Sequence, residues 1–284
     1  MQQSQTPIQF ESFFMLIARI TSRALLALVA IMLWISSACA RDDNYQCGGP
    51  QTIAIMQKIY PQSITTTSGL PFPDNIHVDL RRNRDETSVT CRVWPAHPDL
   101  TLLAFPLIDS DDVRLMVIKS SNLDIEGQLL LKNAAAAEQP LQIKFVDFDT
   151  ANYKVTSSLV AFGLRTTRED ISPANPLIKQ QLSLFSLQNG KIVPLLEDMI
   201  TRLEAADLGH ISCHDQTFDK EVALHMALSS HHGYRDIVVV ENQVATTGGS
   251  IISHCAPATA SLNIRHVLSF DGTRYSVPSL LNAQ

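Results

Sequence analysis

Leu182-Ser183-Leu184-Phe185-Ser186-Leu187-Gln188-Asn189-Gly190-Lys191-Ile192-Val193-Pro194 reads as a strand, a two-residue turn and a second strand. Asn189 and Gly190 both tolerate the positive φ that the centre of a tight hairpin turn requires. Pro194 has no N–H to give to a ladder, so it marks a strand end or a sheet edge. A second stretch has the same order. His266-Val267-Leu268-Ser269-Phe270 leads through Asp271-Gly272 into Arg274-Tyr275-Ser276-Val277-Pro278. Strand, glycine turn, strand and proline thus form a weak internal repeat.

Working outward, strand signals dominate. Leu141-Gln142-Ile143-Lys144-Phe145 alternates apolar and polar residues, as a half-buried strand does. Further strands are expected at 77–80, 88–94, 102–108, 113–120, 128–132, 153–155 and 158–166, with a small-residue connector at 134–137. Ile53, Met56, Ile59 and Tyr60 suit one short helix ended by Pro61. Residues 197–206 fit a short helix or another strand equally well. The expected fold is mainly β, an antiparallel sandwich or a propeller-like array of hairpins with one or two short helices. The expected organisation is a leader at 1–40, an irregular N-terminal region at 41–100 and a β-rich domain at 101–284.

The leader is read from Ala24-Leu25-Leu26-Ala27-Leu28-Val29-Ala30-Ile31-Met32-Leu33-Trp34-Ile35. As a helix this run would cover ~18 Å, short of a ~30 Å hydrocarbon core. Arg19 and Arg23 precede it, and Ala38-Cys39-Ala40 fits the small-x-small rule of a signal-peptidase site. A start at Met15 would give a short, purely basic n-region without Glu11. Ser37-Ala38-Cys39 also resembles the end of a bacterial lipobox, which would make Cys39 a lipidation site, although Ser36 stands where Leu is usual. Periplasmic or secreted location follows as the expectation, with a lipid anchor through Cys39 as the only membrane attachment.

The chain carries a formal net charge of −6; loss of the leader leaves 20 basic and 27 acidic residues, a balance of −7. Nucleic-acid binding would call for a basic face, and none is expected. Beyond Cys39, Cys47, Cys91, Cys213 and Cys255 remain, an even number in a chain read as exported. Of three pairings, Cys47–Cys91 and Cys213–Cys255 are preferred, because each brackets one region. Closing such a loop is worth up to roughly 4 kcal/mol on the chain-entropy view. No Cys-x-x-Cys spacing supports a cysteine zinc site.

Seven of nine histidines lie between His210 and His266. Imidazoles among carboxylates could ligate zinc or copper, and His214, His231, His232 and His254 are the candidates. His-Glu-x-x-His and His-x-His are both absent, however, and surface histidines explain the block more simply. Gly-x-Ser-x-Gly is absent, so no serine nucleophile stands out. Asp147 and Asp149 would share one face of a strand. The sixth residue counted from Asp147 is Asn152, where a calcium loop needs Gly. Solvated turns are the expectation there. Asp109, Asp111 and Asp112 form a similar acidic run. No cofactor is expected.

His231-His232-Gly233-Tyr234-Arg235-Asp236-Ile237-Val238-Val239-Val240 is the most distinctive segment. Gly233-Tyr234-x-Asp236 before a β-branched run resembles the end of an FG-GAP or VCBS-type propeller repeat. That repeat places calcium-binding acids just before the glycine, whereas Ser229, Ser230, His231 and His232 stand here. Ala161-Phe162-Gly163-Leu164-Arg165, the Cys213–Cys255 block and the closing 270–278 segment resemble an uncharacterised family of proteobacterial secreted and periplasmic proteins. Some exported proteins with VCBS-like turns resemble lysozyme inhibitors or immunity proteins. The resemblance thus implies a non-enzymatic binding protein of the periplasm or envelope, with a secreted or envelope protein or the cell wall as partner. Tyr234, Arg235 and Asp236 are its candidate contacts. A metal-dependent hydrolase using the His-rich block and a structural envelope lipoprotein are the rival readings.

Overall fold

The strands of each sheet follow one another in chain order, and every ladder is antiparallel. The computed structural model describes residues 55, 57–58, 70–71, 77–78, 89–106, 112–134, 141–170, 172–208, 215–248 and 256–282, all within the unit Tyr45–Gln284. The expected leader, Cys39, Cys47, Cys213, Cys255, His214 and His254 lie outside the described residues. Among the described residues no helix is long and apolar enough to cross a membrane.

A two-residue ladder joins β1 (Leu70–Pro71) to β2 (His77–Val78). Next comes a four-stranded meander: β3 (Thr90–Trp94), β4 (His97–Pro106), β5 (Val113–Lys119) and β6 (Ile125–Leu131). A seven-stranded meander follows: β7 (Gln142–Lys154), β8 (Val160–Asp170), β9 (Leu177–Gln188), β10 (Lys191–Asp207), β11 (Gln216–His231), β12 (Tyr234–Thr247) and β13 (Ala258–Leu268). Of the two architectures expected, two meanders packed through shared cores are a sandwich of hairpins, not radial propeller blades. The boundary expected at residue 100 falls inside β4.

Among the described residues, two apolar cores hold the layers together. One joins the four-stranded meander to β7–β10, with Trp94, Leu102, Leu115 and Val117 against Phe148, Phe162 and Phe185. Phe162 is its hub, with ring centroids 5.1 Å from Trp94, 6.3 Å from Phe148 and 5.9 Å from Phe185. The first two are edge-to-face contacts, which add to simple burial. The other core collects Leu182, Leu184, Leu196 and Met199 with Ile237, Val239 and Leu268. It therefore brings β9 and β10 together with β12 and β13.

The Asn189-Gly190 hairpin forms as expected, with φ of 50° and 73° at the two turn residues and Gln188 opposite Lys191. Pro194 does not end the second strand. β10 runs on through it to Asp207, so the undecided residues 197–206 are strand. The sheet tolerates Pro194 because the β10–β11 ladder begins only at Arg202, which leaves Pro194 on a local edge. The second expected hairpin is corrected: after Asp271-Gly272 only one bridge, Phe270 to Tyr275, forms. The segment leaves β13 and lines the open stretch of β10. Tyr275 N–H donates to Leu195 C=O at 2.7 Å, Met199 bridges Asn282, and Leu281 is fully buried. Its apolar residues are worth more in that core than as a second arm. Ile55, Gln57 and Lys58 are helical, in the region where a short helix was expected, and Ile55 is buried.

Asp147 and Asp149 are not turn residues; they sit within β7. Asp149 takes Arg165 Nε at 2.9 Å, Tyr153 OH at 2.8 Å and Ala151 N–H at 3.0 Å. Burial pushes its pKa up, but the Ala151 N–H, Arg165 and Tyr153 outweigh that and hold it below the usual carboxylate range. Gly163 is what permits the arrangement. A Cβ there would lie 2.6 Å from Leu182 Cδ1 and 3.0 Å from Asp149 Cβ. The Ala161–Arg165 run singled out by resemblance is thus a packing and ion-pair motif.

Candidate functional site

The β11–β12 hairpin carries the residues singled out as contacts. Its turn is His232-Gly233, with φ of 49° and 81°, and His231 pairs with Tyr234. Both central residues take positive φ, the geometry that matches strand twist across two-residue loops. Sequence reading saw the glycine but not that His232 would fill the place Asn fills in the earlier hairpin.

One pair further on, the register breaks. Ser230 faces Arg235 and Met226 faces Ile237, so Ala227, Leu228 and Ser229 stand opposite Asp236 alone. Asp236 explains the bulge. It is 1 % exposed, and its two oxygens bond Ser229 Oγ at 2.6 Å and His231 Nδ1 at 2.7 Å. Burial raises its pKa, while hydrogen bonds from Ser229, His231 and Ser269 more than offset this and leave it lowered. A buried carboxylate must be bonded, and the nearest donors are those the extra residues bring round.

The consequence is Leu228. It is 96 % exposed, the largest value among the exposed large apolar side chains of the described residues. A scattered surface leucine needs no explanation. Here the exposure is built, because a buried charge anchors the bulge that projects it. No periodicity could have found Leu228; the only sequence signal was a buried-strand run beginning with an acid.

The three candidate contacts behave differently. Tyr234 stacks on Phe270 with centroids 4.0 Å apart, and it meets Gln188 Nε2 through its hydroxyl at 3.4 Å. Asp236 is buried and holds the bulge from within. Arg235 is half-buried, with its N–H on Val155 C=O at 2.7 Å and its C=O accepting from Tyr275 OH at 2.7 Å. The hairpin tip is therefore seated on the closing segment.

His231 and His232 are exposed at the tip, next to the Asp271-Gly272 turn. Asp271 is knotted into that turn by Thr273 Oγ1 at 2.7 Å and the N–H groups of Thr273 and Arg274, which lower its pKa to about 2. Beyond the turn, Asp271, Arg274 and Tyr275 line a polar cleft of about 310 Å³ with Glu197, Asp198 and Asn282. A second cleft of about 510 Å³ shares Glu197, Asp198 and Asn282 and is floored by the buried Arg168 and Gln181. They meet where Asp198, at φ 51°, bulges β10. The hairpin turn thus lies beside a turn that lines the first of these polar concavities.

Among the described residues, no three His, Cys, Asp or Glu side chains gather to hold a metal ion. His231 engages Asp236, His225 is exposed on β11, and His266 bonds Glu241. Glu241 is fully buried and takes Lys220 Nζ at 2.9 Å, Gln243 Nε2 at 2.6 Å and His266 Nε2 at 3.1 Å. Burial raises its pKa; the bonds from Gln243, Lys220 and His266 outweigh that and lower it. Lys220 also donates to Leu280 C=O at 3.1 Å, so the cluster ties β11, β12 and β13 to the closing segment. Cys91 is buried in β3 and disulfide-bonded. No family model, no curated protein and no solved structure matches the chain.

Proposed function

We propose that this chain is an exported binding protein of the periplasm or cell envelope, which engages a protein partner through the β11–β12 hairpin tip. The observation that carries the reading is Leu228, projected by a bulge that a buried, fully bonded Asp236 holds in place. Such a bulge costs a regular ladder pair and leaves an apolar side chain in water, and a partner that covers the side chain recovers the second of these losses. Exposed His231 and His232 supply polar groups of the kind that rim an apolar anchor in protein interfaces. The apolar leader-like run and the disulfide-bonded Cys91 favour export.

The test compares wild type with Leu228→Lys in affinity capture and cross-linking from envelope extract, with sedimentation on purified cell-wall sacculi alongside. A protein enriched by wild type and lost with Leu228→Lys is the expected result. Equal recovery by both forms, or recovery of nothing by wild type, sinks the reading. Binding to sacculi alone would move the partner from protein to cell wall.

A further inference from the structure

β13 closes the seven-stranded sheet on one side, and among the described residues no strand pairs with its outer edge. Its ladder with β12 runs through eleven residue pairs without a register shift. The strand is Ala258-Thr259-Ala260-Ser261-Leu262-Asn263-Ile264-Arg265-His266-Val267-Leu268. Residues 258–263 are all exposed, and Leu262 and Val267 are each 53 % exposed. Soluble proteins protect long edges with lysines, internal prolines, bulges or short strands. β13 uses none of these. Its one permanently charged residue is Arg265.

We infer that β13 is a self-association edge, on which a second copy of this chain adds its own β13 antiparallel across a twofold axis. Such an axis stands perpendicular to the sheet, reverses strand direction and keeps the same face up. Facing residues must then lie on the same face of the strand, which restricts the centre of the pairing to a residue. Centring on Asn263 is the one choice that pairs all eleven residues of one strand with all eleven of the other. It sets Leu262 opposite the partner's Ile264 and Val267 opposite the partner's Thr259. Arg265 meets the partner's Ser261, and His266 meets the partner's Ala260. No like charges face one another, and Leu262 gains an apolar neighbour. Centring on Arg265 would set two arginines face to face. The sequence of the edge is therefore compatible with itself in the register of greatest overlap. An isologous contact of this kind closes at two chains and consumes the exposed edge. A peptide from an unrelated protein would use the same backbone groups but would not need this self-matching.

The Ser261–Arg265 opposition makes the register testable by sedimentation velocity over a concentration series of the purified chain. Wild type should show a monomer–dimer equilibrium. Ser261→Lys places two like-charge pairs across the interface and should weaken the dimer by about tenfold. Ser261→Glu should tighten it, and Ser261→Lys combined with Arg265→Glu should restore it. Because residue 261 is exposed, thermal unfolding of the monomers should be unchanged, which separates the effect from misfolding. A wild-type chain that remains monomeric up to hundreds of micromolar, or a dimer indifferent to all three variants, overturns the inference. Loss of dimer with Leu228→Lys and not with Ser261→Lys would assign association to the hairpin tip instead.

Discussion

Two hairpins of this protein share a turn and differ in how soon after it their strands fall out of step, four residue pairs from the turn in one and two in the other. At Asn189-Gly190 the strands leave the turn in register: Ile192 faces Leu187, Val193 faces Ser186 and Pro194 faces Phe185. At His232-Gly233 the register fails after two pairs. The first hairpin has its tip packed beneath β6, so closely that a Cβ at Gly127 would lie 2.7 Å from Leu187 Cδ1. Apolar Ile192 and Leu187 belong to the core there. Three residues after the turn glycine the first hairpin has the half-buried Val193, whereas the second has the buried acid Asp236, and its chain detours to bond it. Turn chemistry sets where a chain reverses. What lies buried behind the turn sets how far the strands stay in step.

Phe270→Ala should separate the two most. Phe270 is 6 % exposed and supports Tyr234 from below. Truncating a buried phenylalanine costs about 3–5 kcal/mol. Chemical denaturation should show that loss, and amide exchange should rise at 230–236 while the 186–193 hairpin stays protected.

Asp236→Asn comes next, at about 1–3 kcal/mol, because it weakens bonds that Ser229 and His231 make to a charged acceptor. Its pH dependence has a fixed sign. The folded carboxyl titrates below its unfolded value of about 3.9, so its stabilisation is fully present above that value. It is lost as pH falls through the folded pKa. The gap between wild type and Asp236→Asn should therefore stay level in this respect above pH ~4 and narrow below it. A gap that widens on acidification would refute the assignment of Asp236 as the charged anchor.

Gly190→Ala and Gly233→Ala should each cost about 1–2 kcal/mol, from positive φ alone. A Cβ at Gly233 meets nothing within 4 Å, and one at Gly190 only Glu126 O at an ordinary 3.6 Å. Near-equal losses in thermal unfolding would confirm that the turns themselves are equivalent. The smallest effect belongs to Leu228→Ser, which should leave stability unchanged within about 0.5 kcal/mol. A large loss would mean that the bulge is packed and not presented.

The candidate site was legible only in outline. Gly233-Tyr234-x-Asp236 stood out as a turn feeding a strand, and it is one. The roles were hidden. Whether Asp236 is solvated or buried depends on Ser269 and on the closing segment that packs behind it, residues more than thirty positions away. Tyr234 stood out as a candidate contact, and the sequence did not show that Phe270 arrives to stack on it. Leu228 carried no signal of its own, since its exposure results from a bulge whose only trace in the sequence is the acid that opens the buried-strand run.

By itself the sequence determined the strand-rich, antiparallel character of this protein. Alternation at 141–145, strand runs from 88 onward and the Asn189-Gly190 pair act over two to six residues, and neighbours of that range are always present. Tertiary structure decided what depends on distant partners. It let β10 run through Pro194, because no ladder claimed that edge. It drew the 271–282 segment into a core instead of a hairpin. It placed Asp149 against Arg165 and Asp236 beneath the tip. In each case burial, not local preference, set the outcome, since the free energy of covering an apolar side chain or bonding a desolvated charge exceeds the few tenths of a kcal/mol by which one local conformation is preferred to another.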